Sequence, residues 1–134
     1  MSTLKTKKNT DWSDKSILVV DDLKTIFDYF KLAMSRTGAK LFWADSGQKA
    51  IDYIQKEPNI KLVLMDINMP GMNGYEAGRK IKEIKPDIPV IVQTAYVLDE
   101  SEQKALKMGM DGYISKPIRL KLLMEMLEGY LGRA

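Results

Sequence analysis

The sequence predicts an α/β protein, a doubly wound, five-stranded parallel sheet with helices on both faces in three layers. Short apolar runs rich in Val, Ile and Leu alternate along the chain with longer segments that have the 3.6-residue period of amphipathic helices. The connections between them are short, which favours right-handed crossovers in a parallel sheet. At 134 residues the chain has the size of one domain, and five strand–helix units leave no room for a second.

Five segments have the composition of buried parallel strands, in which apolar residues follow one another without polar alternation. They are residues 16 to 21, 40 to 44, 61 to 66, 89 to 94 and 112 to 115. The third segment contains Leu-Val-Leu-Met at 62 to 65. Because this run is apolar throughout, we expect the third strand to be central and buried.

Helical patterns fill the intervals between the strands and follow the last one. They cover residues 23 to 37, 46 to 57, 73 to 85, 99 to 109 and 119 to 132. The last is the clearest, because its apolar residues repeat at the spacing of one helix face, namely Leu120, Leu123, Met124, Leu127 and Leu131. We expect that face to pack on the sheet.

The residues at the predicted helix ends agree with these assignments. Ser46 and Asn73 are of the type that caps helix N-termini, and Glu76 follows Asn73 at the spacing of a capping box. Gly38 and Gly109 lie where a helix commonly ends in a left-handed residue. The sequence therefore predicts N-caps at the first pair and C-terminal glycines at the second.

Residues 1 to 15 are predicted to form a flexible lead-in, and residues 16 to 134 the domain itself. Trp12 is a large aromatic residue within the lead-in that can dock on the domain edge. No apolar run approaches the roughly 20 residues that cross a bilayer, so direct membrane insertion is not expected. Cysteine is absent, which fits a reducing compartment, and we expect a cytoplasmic location.

The charge balance argues against a nucleic-acid binder. The net charge of +3 comes from 21 basic and 18 acidic residues, and three of the basic ones are Lys5, Lys7 and Lys8 in the lead-in. The rest of the chain is near neutral, so no basic stripe is expected on the folded body and no direct contact with nucleic acid. The chain also has no histidine, which excludes a Ser-His-Asp relay and any phosphohistidine within it.

Polar side chains follow four of the predicted strands at the point where each ends. They are Asp21, Asp22, Asp66, Thr94 and Lys116. Since the carboxyl ends of parallel strands meet at one edge of a sheet, we expect these side chains to converge there. Three carboxylates, a hydroxyl and an ammonium group are suited to hold a hard cation and an anion such as phosphate.

The carboxylates indicate which metal such a site would take. Two carboxylates about 4 Å apart repel by about 4 kcal/mol at an effective dielectric of 20, so three need a cation. Ligation by oxygen alone suits Mg²⁺ or Mn²⁺ better than Zn²⁺. Taken singly, each residue also has an ordinary explanation: Asp22 as a helix cap, Lys116 as a solvated charge and Thr94 as a strand end. Pro117 after Lys116 favours a tight turn in which the peptide bond can be cis.

Four motifs together resemble the receiver domain of two-component response regulators. They are Val-Val-Asp-Asp at 19 to 22, Met-Asp-Ile-Asn-Met-Pro-Gly-Met-Asn-Gly at 65 to 74, Thr-Ala at 94 to 95 and Lys-Pro at 116 to 117. The resemblance runs from about Ser16 to Leu131 and is strongest to the receivers of hybrid sensor histidine kinases. It implies a flavodoxin-like fold with strand order 2-1-3-4-5.

The resemblance also implies roles for individual residues. Asp66 would accept a phosphoryl group, and Mg²⁺ (or Mn²⁺) would be held by the carboxylates of Asp21, Asp22 and Asp66 and by the backbone carbonyl of Asn68. Lys116 would contact the phosphoryl oxygens and so contribute to the chemistry at Asp66.

Further residues are implied in switching and in timing. Thr94 would contact the phosphoryl group, and Tyr113 would turn inward after phosphorylation. Asn68 and Tyr96 stand two residues after Asp66 and Thr94, at positions that influence hydrolysis of the acyl phosphate. We expect the bulky Tyr96 to shield the phosphoryl group and prolong its lifetime.

The implied function is that of a phosphoacceptor in a two-component phosphorelay, which switches its protein-interaction surface. Without histidine in the chain, the phosphoryl group must come from a histidine kinase, a histidine phosphotransfer domain or a small phosphodonor. Such a domain catalyses its own phosphorylation and dephosphorylation and is not a conventional enzyme. The sequence leaves open whether phosphorylation produces a homodimer and whether the domain stands alone or belongs to a hybrid kinase.

Three other functions compete with this interpretation. A haloacid-dehalogenase-like phosphatase also uses an aspartate nucleophile and Mg²⁺, but its first motif has one residue between the two acids, whereas Asp21 and Asp22 are adjacent. A flavodoxin-like FMN carrier needs a phosphate-binding loop after the first strand, where these acids would repel phosphate. The third is a pseudo-receiver, an interaction module that has the fold without the chemistry.

Overall fold

The structure is a computed structural model in which a continuous β-sheet forms the middle layer. It describes residues 11–67, 69, 71, 73–94, 107 and 109–132. Asn68, Tyr96 and almost all of the helix predicted at 99 to 109 lie outside the described residues.

Strands and helices alternate through the described part of the chain as the sequence predicts. In order they are β1 (Ser16–Val20), α1 (Lys24–Ala33), β2 (Lys40–Ala44), α2 (Gly47–Lys56), β3 (Ile60–Asp66), α3 (Gly74–Ile84), β4 (Val90–Thr94), β5 (Gly112–Ser115) and α4 (Leu120–Leu131). Every strand pair is parallel, and the sheet order is β2-β1-β3-β4-β5. The predicted fold class and strand order are confirmed, with β3 in the centre.

Within the described residues, two helices pack on each face of the sheet. One face packs on α2 and α3 through a buried cluster that includes Leu18, Val20, Val63, Met65, Val92, Ala50, Ile54, Ala77 and Ile81. The other packs on α1 and α4 through a second cluster that includes Ile17, Val19, Leu62, Leu64, Ile91, Phe30, Leu123 and Leu127. Each fully buried aliphatic or aromatic side chain stabilises the fold by about 1.5–3 kcal/mol relative to its exposed state. These two clusters hold the strand ends in fixed positions.

The predicted N-caps are present. The Ser46 side chain accepts a hydrogen bond from the backbone N–H of Lys49 at 3.2 Å, and Asn73 Oδ1 accepts one from Glu76 N–H at 2.9 Å. Each cap satisfies a backbone donor that the first turn of a helix leaves without an intrahelical partner. Asn73 thereby fixes the start of α3 at Gly74, which lies against the carboxyl end of β3.

The first helix is shorter than the sequence predicts. It ends at Ala33 rather than residue 37, and Gly38, with φ of 81°, lies in the turn that follows instead of at the helix end. The buried Thr37 hydroxyl donates to the carbonyl oxygen of Met34 at 2.7 Å and accepts from Ala39 N–H at 3.1 Å. This side chain satisfies backbone groups that a longer helix would have paired internally, so the helix stops early.

Trp12 is buried although it precedes the predicted domain boundary. It is 0% exposed and belongs to the same cluster as Phe30 and Leu127. Its indole N–H donates to the carbonyl oxygen of Gly132 at 2.9 Å, and its backbone N–H donates to Thr37. The two ends of the described chain are therefore fastened together, while the boundary at residue 16 stays a prediction.

The apolar face predicted for the last helix needs one correction. Leu123 and Leu127 are fully buried and Met124 and Leu131 pack partly against the core, but Leu120 is 46% exposed. Leu120 is the first residue of α4 and lines a surface groove with Tyr29 of α1, at the margin of the sheet. The face that contacts the sheet therefore starts one turn later than predicted.

No helix in the described ranges is both long enough and apolar enough to cross a membrane.

Two leucines of α4 test this register. Leu123→Ala should lower the free energy of unfolding by about 2–5 kcal/mol, because it leaves a cavity in the core. Leu120→Ala should lower it by less than about 1 kcal/mol, because the side chain is half exposed. Urea denaturation of both variants measures the difference. Equal losses of unfolding free energy would contradict the burial of Leu123 and the exposure of Leu120.

Candidate functional site

The carboxyl ends of four strands bring the predicted polar residues together. Asp21 follows β1, Asp66 ends β3, Thr94 ends β4 and Lys116 follows β5. Asp21, Asp66 and Thr94 are at most 4% exposed, although each carries a polar side chain. Buried polar groups at the edge of a sheet need partners of their own, so the contacts among them define the site.

The ammonium group of Lys116 lies between the two buried carboxylates of the site. Lys116 Nζ is 3.5 Å from Asp21 Oδ2 and 3.5 Å from Asp66 Oδ1. Because β4 lies between β5 and β3 in the sheet, the Lys116 side chain must cross the end of β4 to reach them. The backbone N–H of Lys116 donates to the Thr94 carbonyl oxygen at 2.7 Å. The bond from Lys116 to Pro117 is cis, one of the two forms open to a bond that precedes proline.

Three carboxylates form a cluster suited to a metal ion. One carboxylate oxygen from each of Asp21, Asp22 and Asp66 lies within 4.8 Å of the others. The side chain of Asp22 is exposed, whereas those of Asp21 and Asp66 are buried, so the cluster opens to solvent on one side. Hard oxygen ligands and an opening for water are the features that Mg²⁺ prefers in proteins.

Asp21 carries an electrostatic cost. Burial raises the pKa of its carboxyl above the ordinary value of 3.8, and the neighbouring charges of Asp66 and Asp22 raise it further. The Leu23 N–H, which donates to Oδ1 at 3.0 Å, and the ammonium of Lys116 act in the opposite direction on this pKa. Oδ2 is buried and has no hydrogen-bond partner. This oxygen forms an ion pair with Lys116 Nζ at 3.5 Å but accepts no hydrogen bond, and a metal ion bound at the cluster would have it as a direct ligand.

The backbone of α3 approaches the end of β3 very closely. A Cβ on Gly74 would lie 2.2 Å from the carbonyl oxygen of Asp66, which no real side chain tolerates. Gly74 therefore allows the start of α3 to pack against the residue that carries the central carboxylate. The sequence motif contains this glycine, but only the structure shows what it contacts.

Trp43 is a residue that the sequence reasoning missed. Its indole N–H donates to the backbone carbonyl oxygen of Asp21 at 2.9 Å. No sequence signal indicates this contact, because a hydrogen bond to a backbone carbonyl leaves no trace in the identity of the residue that accepts it.

Of the residues predicted to switch, Thr94 ends β4, the strand next to the one that carries Asp66, and Tyr113 lies on β5 opposite Val92. Thr94 is fully buried, and Tyr113 of β5 is half-buried against the cluster beneath α2 and α3. Gln93, which precedes Thr94, is fully buried, and within the described part of the chain neither atom of its amide has a hydrogen-bond partner. Asn68 and Tyr96, predicted to modulate the rate, are outside the described residues, so their roles stay predictions.

Solved structures with the same fold are response regulators. A two-component response regulator from Clostridium difficile superposes with a TM-score of 0.82 at 25% sequence identity, covering 87% of this chain and 95% of that one. A CheY-like response regulator receiver domain protein from Methanospirillum hungatei gives 0.81 at 32% identity, covering 87% and 93%. The similarity extends across nearly the whole of both proteins.

Curated relatives are named as histidine kinases. Sensor histidine kinase RcsC of Escherichia coli is 35% identical over 127 residues, which is 95% of this chain and 13% of that protein. Probable histidine kinase 4 of Oryza sativa is 34% identical over an alignment of 140 positions that covers 88% of this chain and 14% of that protein. The chain therefore spans about one seventh of the length of these relatives.

The family model of the response regulator receiver domain matches residues 17–128. The matched region contains all the carboxylates of the cluster together with Thr94 and Lys116. Since the match covers most of the chain and agrees with the sheet order and the site, the chain belongs to the response regulator receiver domain family of two-component signal transduction.

Proposed function

We propose that Asp66 is the phosphoacceptor of this receiver domain and that a histidine kinase or a histidine phosphotransfer domain is its donor. The observation that carries the proposal is the placement of Lys116 Nζ 3.5 Å from Asp66 Oδ1, beside a cluster of acids. The ammonium group can attract the oxygens of an incoming dianionic phosphoryl group and so bring phosphorus close to the buried carboxylate of Asp66. The histidine kinases among the relatives support a donor of that kind.

The proposed transfer is an in-line displacement. An Asp66 carboxylate oxygen attacks phosphorus, the bond between phosphorus and the donor imidazole nitrogen breaks, and the imidazole leaves with its electron pair. A carboxylate is a poor nucleophile toward another anion, so positive charge must first neutralise the phosphoryl oxygens. Lys116 supplies one such charge, and the Thr94 hydroxyl would donate to the same oxygens.

The acidic cluster fits Mg²⁺, with Mn²⁺ as a substitute. Asp21, Asp22 and Asp66 would hold the ion, and the resemblance to receivers adds the backbone carbonyl of Asn68. Oδ2 of Asp21 supports this assignment, because it is buried without a hydrogen bond and is therefore free of competing donors where the metal would bind. When bound, Mg²⁺ neutralises charge on the phosphoryl group and on the carboxylates.

Signalling would follow from the new charge on Asp66. An acyl phosphate carries nearly two negative charges and strong acceptor oxygens, to which the Thr94 hydroxyl can turn. Tyr113 would then move further inward, which would alter the surface near β5 and α4. The half-buried position of Tyr113 is consistent with such a movement.

Replacing the acceptor should abolish phosphorylation. Wild-type protein incubated with Mg²⁺ and acetyl phosphate should gain one phosphoryl group by intact mass, and Asp66→Asn should gain none. Asp28→Asn is the matched control, because Asp28 is an exposed aspartate on α1, paired with Lys24 at the surface. Labelling of Asp66→Asn at the wild-type level would show that another residue is the acceptor.

The same experiment separates the competing functions. A phosphatase would turn over phosphoester substrates, an FMN carrier would purify with a yellow chromophore, and a pseudo-receiver would remain unmodified at any Mg²⁺ concentration. A receiver would show labelling that depends on both Mg²⁺ and Asp66, together with no turnover of phosphoester substrates and no chromophore.

The raised pKa of Asp21 predicts how stability depends on pH. Between the pKa of the unfolded state and the higher pKa of the folded state, the native protein binds more protons, so this group destabilises the fold as pH rises. Without Mg²⁺, Asp21→Asn should therefore be more stable than wild type near neutral pH, by about 1–3 kcal/mol. The advantage should shrink as pH falls toward the ordinary aspartate pKa.

Chemical denaturation of both proteins over a pH series, with and without Mg²⁺, measures this effect. Because Mg²⁺ binds the native wild-type site, adding it should reduce the advantage of Asp21→Asn. A wild-type protein that is the more stable of the two at neutral pH without Mg²⁺ would contradict the assignment of an electrostatic cost to Asp21.

Tyr96 is proposed to set the lifetime of the acyl phosphate. If its side chain shields the phosphoryl group from water, Tyr96→Ala should lose the label several-fold faster than wild type after removal of the donor. Tyr130→Ala is the control, because it removes a tyrosine from α4, far from Tyr96 in the sequence. Equal dephosphorylation rates for Tyr96→Ala and wild type would rule out the shielding role.

A further inference from the structure

Trp43 makes a hydrogen bond to the loop between β1 and α1. This loop carries Asp21 and Asp22, two of the three acids that are proposed to bind the metal. Trp43 lies on the edge strand β2, opposite Val19 in the register with β1. From there its indole N–H reaches the carbonyl oxygen of Asp21 at 2.9 Å. Its ring stacks on Phe27 of α1, with centroids 6.0 Å apart and planes inclined by 22°. The indole therefore connects the edge strand, the first helix and the loop between β1 and α1.

The hydrogen bond from Trp43 completes the fixation of Asp21. The Asp21 N–H donates to Ala44 O at 3.0 Å, and its Oδ1 accepts from Leu23 N–H at 3.0 Å. With the carbonyl oxygen held by Trp43, Oδ2 alone stays without a hydrogen bond, and it faces the acidic cluster and Lys116. Every other polar atom of Asp21 thus makes a hydrogen bond, and together these bonds fix the direction of Oδ2.

The same contact orients Asp22. A peptide unit is planar, so fixing the carbonyl of Asp21 also fixes the plane that contains the N–H of Asp22 and the direction in which Asp22 leaves it. Asp22 is exposed, and burial does not hold its side chain in place. Its direction therefore depends on the backbone that Trp43 holds.

We propose that Trp43 is a positioning residue for the metal site, acting through the backbone of Asp21 to place the carboxylates of Asp21 and Asp22. The inference rests on the proposed function of this cluster as a Mg²⁺ site. Trp43 contacts the backbone of Asp21 and would itself touch neither the metal nor the phosphoryl group. A phenylalanine at the same position would keep an aromatic ring against Phe27 but would have no N–H to donate.

The test is the affinity of the whole chain for Mg²⁺ alone, measured by calorimetry at fixed pH and ionic strength. Trp43→Phe should bind Mg²⁺ about three- to tenfold more weakly, the factor expected for the net loss of one hydrogen bond that pre-organises the ligands. The Mg²⁺ concentration for half-maximal labelling by acetyl phosphate should rise by the same factor, while the labelled fraction at saturating Mg²⁺ stays unchanged.

The chain contains a matched control. Trp12 makes the same kind of bond, from its indole N–H to the Gly132 carbonyl oxygen at 2.9 Å, but where the chain ends meet. Trp12→Phe should lower the unfolding midpoint and leave the Mg²⁺ affinity unchanged. An equal loss of affinity in both variants would overturn the inference, because the effect would then be one of general stability.

A third variant separates the hydrogen bond from the packing. Phe27→Leu removes the stacking ring but keeps the indole N–H, so it should weaken Mg²⁺ binding less than Trp43→Phe does. A loss as large as that of Trp43→Phe would assign the effect to packing and overturn the inference.

The outcome for the wild type distinguishes the two proposals. If wild-type protein binds Mg²⁺ and Trp43→Phe binds it equally well, the inference on Trp43 is wrong and the proposed function stands. If wild-type protein binds no Mg²⁺ and is not phosphorylated, the proposed function fails and the inference on Trp43 fails with it.

Discussion

Repulsion among the carboxylates of Asp21, Asp22 and Asp66 is the constraint on which the functional edge of this domain depends. Their oxygens lie within 4.8 Å of one another, and the ammonium of Lys116 stands 3.5 Å from two of them. One positive charge does not neutralise three negative ones, so the edge retains a net negative charge. Such an arrangement persists only because the rest of the fold holds the acids in place, and it favours a divalent cation.

The fold holds them by burying the strands that carry them. Val19 and Val20 lead into Asp21 and are fully buried on opposite faces of the sheet, and Met65, directly before Asp66, is fully buried as well. Neither strand end can withdraw from the other without exposing that apolar surface to water. Gly74 lets α3 close against Asp66 from one side. Hydrophobic burial thus balances electrostatic repulsion across the sheet.

The sequence predicts the parts of this site that follow from topology. Parallel strands carry the residues at their carboxyl ends to one edge, so the convergence of Asp21, Asp66 and Lys116 needed only strand boundaries and the family resemblance. The exposure of Leu120 and the bonds made by Trp12 and Trp43 were not predictable in this way. They depend on where side chains far apart in sequence reach a particular backbone carbonyl or helix margin, and periodicity carries no signal for that.

Two buried polar groups near the site carry a cost in the free energy of folding. Oδ2 of Asp21 has no hydrogen-bond partner, nor has the Gln93 amide within the described residues, and an unsatisfied buried polar group costs about 1–3 kcal/mol. A ligand that satisfied Asp21 would recover part of that cost, so a metal ion bound at this cluster, as proposed, would stabilise the folded state. If Asp21 is a metal ligand, as proposed, replacing it would gain stability and weaken metal binding, so the proposed function predicts that stability and function oppose each other at this position.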